Sequence, residues 1–174
     1  MNYMNVPSSF SWENLGDIGE GRTNLGFEMP IIVYRLFQYA LKDIITREYG
    51  EEAAKNVFRV AGHLAGSHFA RNVLDLSGDF DFFVTNLQKQ LADLKIGILR
   101  IEKADLQNLS LTLTVSEDLD CSGLPVTDET VCDYDEGFIA GILEAYTGKK
   151  FDVREIDCWA SGDRTCRFTV NLMQ

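Results

Sequence analysis

The residues best suited to chemistry in this 174-residue chain are its four cysteines, Cys121, Cys132, Cys158 and Cys166. Cys158 and Cys166 stand four residues to either side of Gly162, so a hairpin turning at Ser161-Gly162-Asp163 would set them opposite one another. Directly opposed residues hold their Cβ atoms about 4.5–5.5 Å apart. Over that span two thiolates can share one tetrahedral metal. Cys132 opens a helical pattern, where the helix dipole favours the thiolate that a metal requires. The fourth ligand would be an acid or the remaining Cys121. Glu155 lies three residues before Cys158 and would point to the other face of a regular strand. If both ligate, the strand must bulge or end between them. Spacing alone leaves three readings open: a metal site, four small buried hydrophobes, or a Cys158–Cys166 disulfide. No CxxC pair narrows the choice.

The elements that must position these thiols can be read from periodicity. The first 24 residues, rich in Gly, Ser and Asn, form an arm with Phe10, Trp12 and Leu15 as anchors; one domain runs from 25 to 174. Pro30 suits a first helical turn. Behind it Val33, Phe37, Ala40, Leu41 and Ile44 make an apolar stripe, and Ile32, Leu36, Tyr39 and Ile45 extend it almost all round. Such a helix is either central or faces a partner subunit. Gly50 stops it, and a second helix carries Val57, Phe58, Ala61, Leu64, Ala65 and His68, with Gly62 and Gly66 on one face open to close approach. A third helix is expected over 79–94. Ile96 to Glu102 begins a strand, and Leu109, Leu111, Leu113 and Val115 alternate with Ser and Thr as the clearest strand in the chain. A loop, a fourth helix over 132–146 capped by Gly148, and strands over 151–159 and 164–172 complete the order αααββαββ. That is an α+β fold, a helical layer on a small antiparallel sheet. Gly137 and Gly141 space the fourth helix for a close helix contact.

Composition excludes several classes of function. Lys and Arg number 16 against 27 Asp and Glu, a net charge of −11. That disfavours nucleic-acid backbones and anionic membrane surfaces. No apolar run is long enough for a membrane span. The first residues lack a basic and an apolar signal region, so a cytoplasmic, reducing location is expected. No GxGxxG after a strand, P-loop, GxSxG or HExxH is present, and the chain is read as non-catalytic. His63 and His68, five apart, do not share a helical face and are read as satisfied core or surface residues. The acids Glu13, Asp17, Glu20, Glu51, Glu52 and Asp79 are read as a solvated surface.

CSGLP at 121–125, VCDYDEGFIAGILEAYTGKKF at 131–151 and EIDCWASGDRTCRF at 155–168 together resemble the C-terminal half of a 4-vinyl-reductase domain. LGFEMPIIVYRLFQYALKDII and FRVAGHLAGSHFARNVL resemble its N-terminal part, so the likeness covers about residues 25 to 172. The resemblance implies a fold shared with a Golgi-transport adaptor family, kinship with haem-based nitric-oxide sensors, and frequent dimers. In aromatic-sensing regulators that carry a related domain, one zinc is held by a Cys, a Glu and two further Cys. That pattern resembles Cys132, Glu155, Cys158 and Cys166 here, with Cys121 as the alternative fourth ligand in a site of four thiolates. Four protein ligands close such a site, so the Zn2+ would be structural.

The long helices carry more aromatic bulk than one thin sheet must cover. Phe37, Phe58, Phe69, Phe82, Phe83, Phe138 and Tyr146 could line a cavity, or fill the core. The resemblance implies a small hydrophobic ligand. The related phenol sensors use a His and a Trp to hold the hydroxyl; between Lys95 and Val131 this chain has neither, so phenol recognition is not carried over. The expectation is a zinc-stabilised sensing module, a homodimer through its first helices, with output in trans to a regulatory partner or through dimer geometry. The alternatives are a protein-interaction adaptor like the Golgi-transport relatives, or an accessory protein of tetrapyrrole metabolism.

Overall fold

The computed structural model describes residues 8–173. The first seven residues of the expected arm lie outside the described residues. The chain divides into two compact units, one up to Ala54 and one from Lys55.

The first unit begins with a short 3-10 turn, Trp12–Leu15, and a single helical turn, α1, Ile18–Gly21. Asp17 caps α1, its Oδ1 accepting from the Glu20 amide at 2.8 Å. The arm therefore has local order that its Gly-rich composition did not announce. The helix α2 spans Ile31–Tyr49. Of its residues only Gln38 is buried. Ile32, Leu36 and Phe37 are 63 %, 63 % and 69 % exposed. Of the two sequence expectations for this helix, central or facing a partner, the exposure leaves the second.

The second unit holds the rest of α3, Glu51–Val73, then α4, Phe80–Asp93, the strands β1, Ile98–Asp105, and β2, Ser110–Ser116, the helix α5, Asp133–Thr147, and the strands β3, Phe151–Asp157, and β4, Cys166–Leu172. This is the α+β order read from the sequence. The strands form one antiparallel sheet in the order β1-β2-β4-β3. Alternation selects the inner face: Leu111, Leu113 and Val115 on β2 and Cys166, Phe168 and Val170 on β4 are buried. Each large apolar side chain so buried contributes about 1.5–3 kcal/mol relative to exposure. Ile96 was expected to open β1; its amide instead bonds the Leu91 carbonyl, finishing the turn after α4, and the strand begins at Ile98.

Helix ends follow the local chemistry. The Asp79 carboxylate accepts from the Phe82 amide at 3.0 Å and starts α4. Gly148, at φ 72°, takes the left-handed conformation that ends α5. The four glycines of α3 and α5 work as a set. A Cβ on Gly62 or Gly66 would fall 2.0 or 2.1 Å from the carbonyl oxygens of Tyr134 and Phe138. A Cβ on Gly137 or Gly141 would fall 2.0 or 2.2 Å from those of Arg59 and His63. The two helices thus touch backbone to backbone, which no other residue permits. Arg59 then reaches across to buried Asp133 at 2.9 Å and to Glu136, and His63 Nε2 meets Glu144 Oε2 at 2.8 Å.

Candidate metal centre and ligand cavity

Four segments deliver one thiol each to the same point. Cys121 lies in the loop after β2; its amide and that of Asp120 donate to Asp118 Oδ1 at 3.1 and 2.8 Å. Cys132 is the residue before α5. Cys158 follows β3, its amide donating to Ser161 Oγ at 2.9 Å and its carbonyl accepting from the Asp163 amide at 3.0 Å. Cys166 opens β4. All four are free thiols and at most 1 % exposed. Their sulfurs lie within 4.8 Å of one another.

The donor set fits a tetrahedral metal. Metal–sulfur bonds of about 2.3 Å give a tetrahedron whose edges are about 3.8 Å. Cys132 Sγ is 3.8 Å from Cys158 Sγ and 3.9 Å from Cys166 Sγ. Cys121 Sγ, 3.0 Å from Cys166 Sγ, stands closer than such an edge and would need to draw back by about 1 Å or less. The thiols also perturb one another: hydrogen bonding with Cys121 leads the upward push on Cys132 and Cys166 and the downward pull on Cys158. A dication among them would remove that conflict.

Register explains how Glu155 comes near without joining this set. β3 pairs Glu155 with Phe168 but Asp157 with Arg167, so Ile156 is an extra residue in a bulge. The bulge required for Glu155 and Cys158 to share a side is therefore present. Glu155 Oε2 accepts from the Cys132 amide at 3.0 Å, its Oε1 is buried without a partner among the described residues, and Glu136 Oε1 accepts from the Glu155 amide at 2.9 Å. Burial, then Cys158, pushes its carboxyl up to about 8. Of the two expected fourth ligands, the structure brings Cys121 into the thiol set and holds Glu155 against Cys132 as an orienting group.

Beside the thiols, α4, α5, β1 and β2 enclose an apolar cavity of about 40 Å³. On this measure that is room for about three waters. Phe83, Leu87 and Leu91 of α4 face Leu111, Leu113 and Val115 of β2 across it, and Phe138, Ile139 and Ile142 of α5 close it. Of the seven aromatic residues expected from the sequence, Phe83 and Phe138 line it. Tyr146 and Phe69 stand behind these two: the Tyr146 ring stacks on Phe83 at 4.0 Å, and the Phe69 ring tilts against Phe138 at 5.3 Å. Phe58 is buried but outside the wall. Phe82, 47 % exposed, lies over Gly78 instead, and Phe37 belongs to the first unit and is exposed.

Two lining residues were missed in the sequence, Asp118 and Asp135. Burial and then Asp120 push Asp118 up to about 7. Burial and then Asp118 push Asp135 well above the usual carboxylate range. A signal for Asp135 did exist. Phe138, Ile139 and Ile142 lie three, four and seven residues after it, on one helical face.

Comparison with known proteins agrees with this architecture. Residues 111–172 match the vinyl-4-reductase domain family. A protein of Methanocaldococcus jannaschii is 28 % identical over 142 residues, covering 82 % of this chain and 77 % of that one. Among solved structures, a vinyl-4-reductase family protein from M. jannaschii superposes with a TM-score of 0.65 at 19 % identity, over 97 % of this chain and all of that one. The phenol-responsive sensory domain of the transcription activator PoxR, solved with phenol, gives 0.63 at 18 % identity, over 94 % and 92 % of the two chains. Trafficking protein particle complex subunit 3 from Naegleria fowleri, covalently bound to palmitic acid, gives 0.66 at 12 % identity, over 83 % and 95 %. At these identities the superpositions speak to the fold. No helix among the described residues is long and apolar enough to cross a membrane.

Proposed function

We propose that this chain is a metal-stapled sensing module for a small, mainly apolar molecule, acting by binding and not by catalysis. The observation that carries the reading is an apolar cavity enclosed by α4, α5 and the sheet directly beside four converging thiols. Cys121, Cys132, Cys158 and Cys166 would hold one Zn2+, with Glu155 fixing the Cys132 backbone. When bound, the ion neutralises the thiolates and ties the β2–α5 loop, the start of α5 and the β3–β4 hairpin to one point. Two proteins of the same fold were solved with apolar or aromatic molecules, phenol in one and palmitate in the other. That supports the cavity as the binding place.

The exposed α2 face is the second element of the reading. Ile32, Leu36 and Phe37 make a contiguous apolar ridge larger than a solvated helix needs. We assign it to a second copy of this chain, in a dimer formed in the cytoplasm. The same ridge also favours a second reading, an adaptor that docks another protein and uses the cavity only for packing.

Native mass spectrometry of the purified chain, set against its denatured mass, tests both. One zinc per chain with an organic adduct is expected. A mass two protons short with no metal would mean a disulfide and overturn the metal centre. Zinc without an adduct, together with a stable heterologous partner, would shift the balance to the adaptor.

A further inference from the structure

The cavity is apolar except at one end, where Asp118 and Asp135 enter with carboxylate oxygens within 4.8 Å of each other. Asp118 Oδ1 is engaged by the amides of Asp120 and Cys121. Asp135 differs. Its Oδ2 is buried and has no hydrogen-bond partner among the described residues. Leaving such an oxygen without a donor is costly, and native proteins retain few of them. No Lys, Arg or His is among the residues that line the cavity. The protein thus builds an apolar sleeve, places two acids at its end and supplies no countercharge.

Resting on the cavity as a ligand site, we propose that its ligand is a compact apolar molecule ending in a protonated amine, whose N–H groups donate to Asp135 Oδ2 and to the Asp118 carboxylate. A hydroxyl head would offer one donor and no charge. An ammonium offers three donors and meets both acids at once. Its hydrogen bonds to a carboxylate are charge-assisted, the stronger kind. A carboxylate head would be repelled by the pair. A planar guanidinium is bulkier than a cavity of about 40 Å³ favours. The net charge of −11 adds a general attraction for cations.

Calorimetric titration of the zinc-loaded full chain at about 0.15 M salt, with hexylamine, hexan-1-ol and hexanoate as probes, tests this; that salt screens loose surface binding of the amine. Methyl NMR of Val84, Leu87 and Leu113, which line the cavity, locates the site. One hexylamine per chain is expected, at least about tenfold tighter than hexan-1-ol, with no uptake of hexanoate. Asp135→Asn should weaken the amine at least about tenfold and leave the alcohol nearly unchanged. If the alcohol binds as well as the amine, or if D135N leaves the amine's affinity intact, the head-group assignment falls while the cavity reading stands. If none of the three probes shifts the cavity methyls, both fall. Should D135N not fold, the amine-to-alcohol ratio of the unaltered chain decides alone.

Discussion

Gly141→Ala is the substitution whose effect the geometry specifies most closely. A Cβ there would lie 2.2 Å from the His63 carbonyl oxygen and 2.8 Å from the Ser67 amide, where ordinary contact begins at 3.4 Å. Both obstacles are backbone, so α3 and α5 must part by about 1 Å, and close-packed interiors resist that. Overpacking of this kind costs about 1–3 kcal/mol. Parting also loosens the Ser67 hydroxyl bond to the Gly141 carbonyl and the reach of Arg59 to Asp133, which is only 6 % exposed. Breaking a buried ion pair outright costs about 3–5 kcal/mol, and weakening it costs part of that. Alanine's better helix propensity returns about 1 kcal/mol. The balance is a loss of about 2–3 kcal/mol, or about 5–10 °C in Tm for a chain of this size. Urea unfolding followed by circular dichroism should show a lower midpoint with an unchanged slope. Gly21→Ala, whose Cβ meets nothing within 4 Å, is the control and should stay within about 0.5 kcal/mol of the parent. A G141A midpoint equal to the control's would refute the backbone-to-backbone contact.

The metal centre, the buried acid and the α2 face each give a further expected outcome. Cobalt loaded in place of zinc should give a thiolate charge-transfer band that drops by about a quarter in Cys121→Ser, as four sulfurs become three, and stays whole in Glu155→Gln; the reverse pattern would return Glu155 to the ligand set. Asp135 holds its proton in the folded chain well above its unfolded pKa, so the folded state binds more protons and loses stability as pH rises above about 4. The stability of D135N relative to the parent should therefore grow with pH in urea melts run between about pH 5 and 8; a flat difference would contradict the burial of that carboxyl. Phe37→Asp on the exposed α2 face should raise the dimer dissociation constant at least about tenfold in sedimentation equilibrium, with the Tm of the monomer little changed; an unaltered constant would remove α2 from the interface.

The fold was legible where a period repeats. The alternation of β2 and the apolar spacing of α4 set their lengths to within a residue or two. The turn at Gly162 placed Cys158 across from Cys166, and Asp157 does pair with Arg167 one step further along the two strands. The bulge at Ile156 followed from a single chemical requirement, that Glu155 and Cys158 reach one side. Cys121 was harder to assign. It sits in a loop with no period, and its position depends on the Asp118 carboxylate gripping two amides, a local contact that no spacing rule encodes. The aromatic count misjudged the cavity for a related reason. Phe37 and Phe82 belong to helices with apolar residues on more than one face, and composition cannot say which face a helix turns inward.

The two acids of the cavity mark a limit of a different kind. Charged residues are almost never buried without a partner, so reading an Asp as solvated is sound until its neighbours in space are known. Asp135 lies in the first turn of α5, where acids are ordinarily explained by the helix dipole. That explanation accounts for an acid there but not for its direction. The close seating of α5 on α3, set by four glycines, fixes the roll of α5 about its axis, and that roll carries Phe138, Ile139, Ile142 and Asp135 together into the cavity wall. The same seating puts Cys132, three residues before Asp135, among the thiols. Metal centre and cavity are thus two consequences of one helix contact. A residue that shifts α5, as alanine at Gly141 must, should therefore weaken metal retention and probe binding together, although it touches neither site.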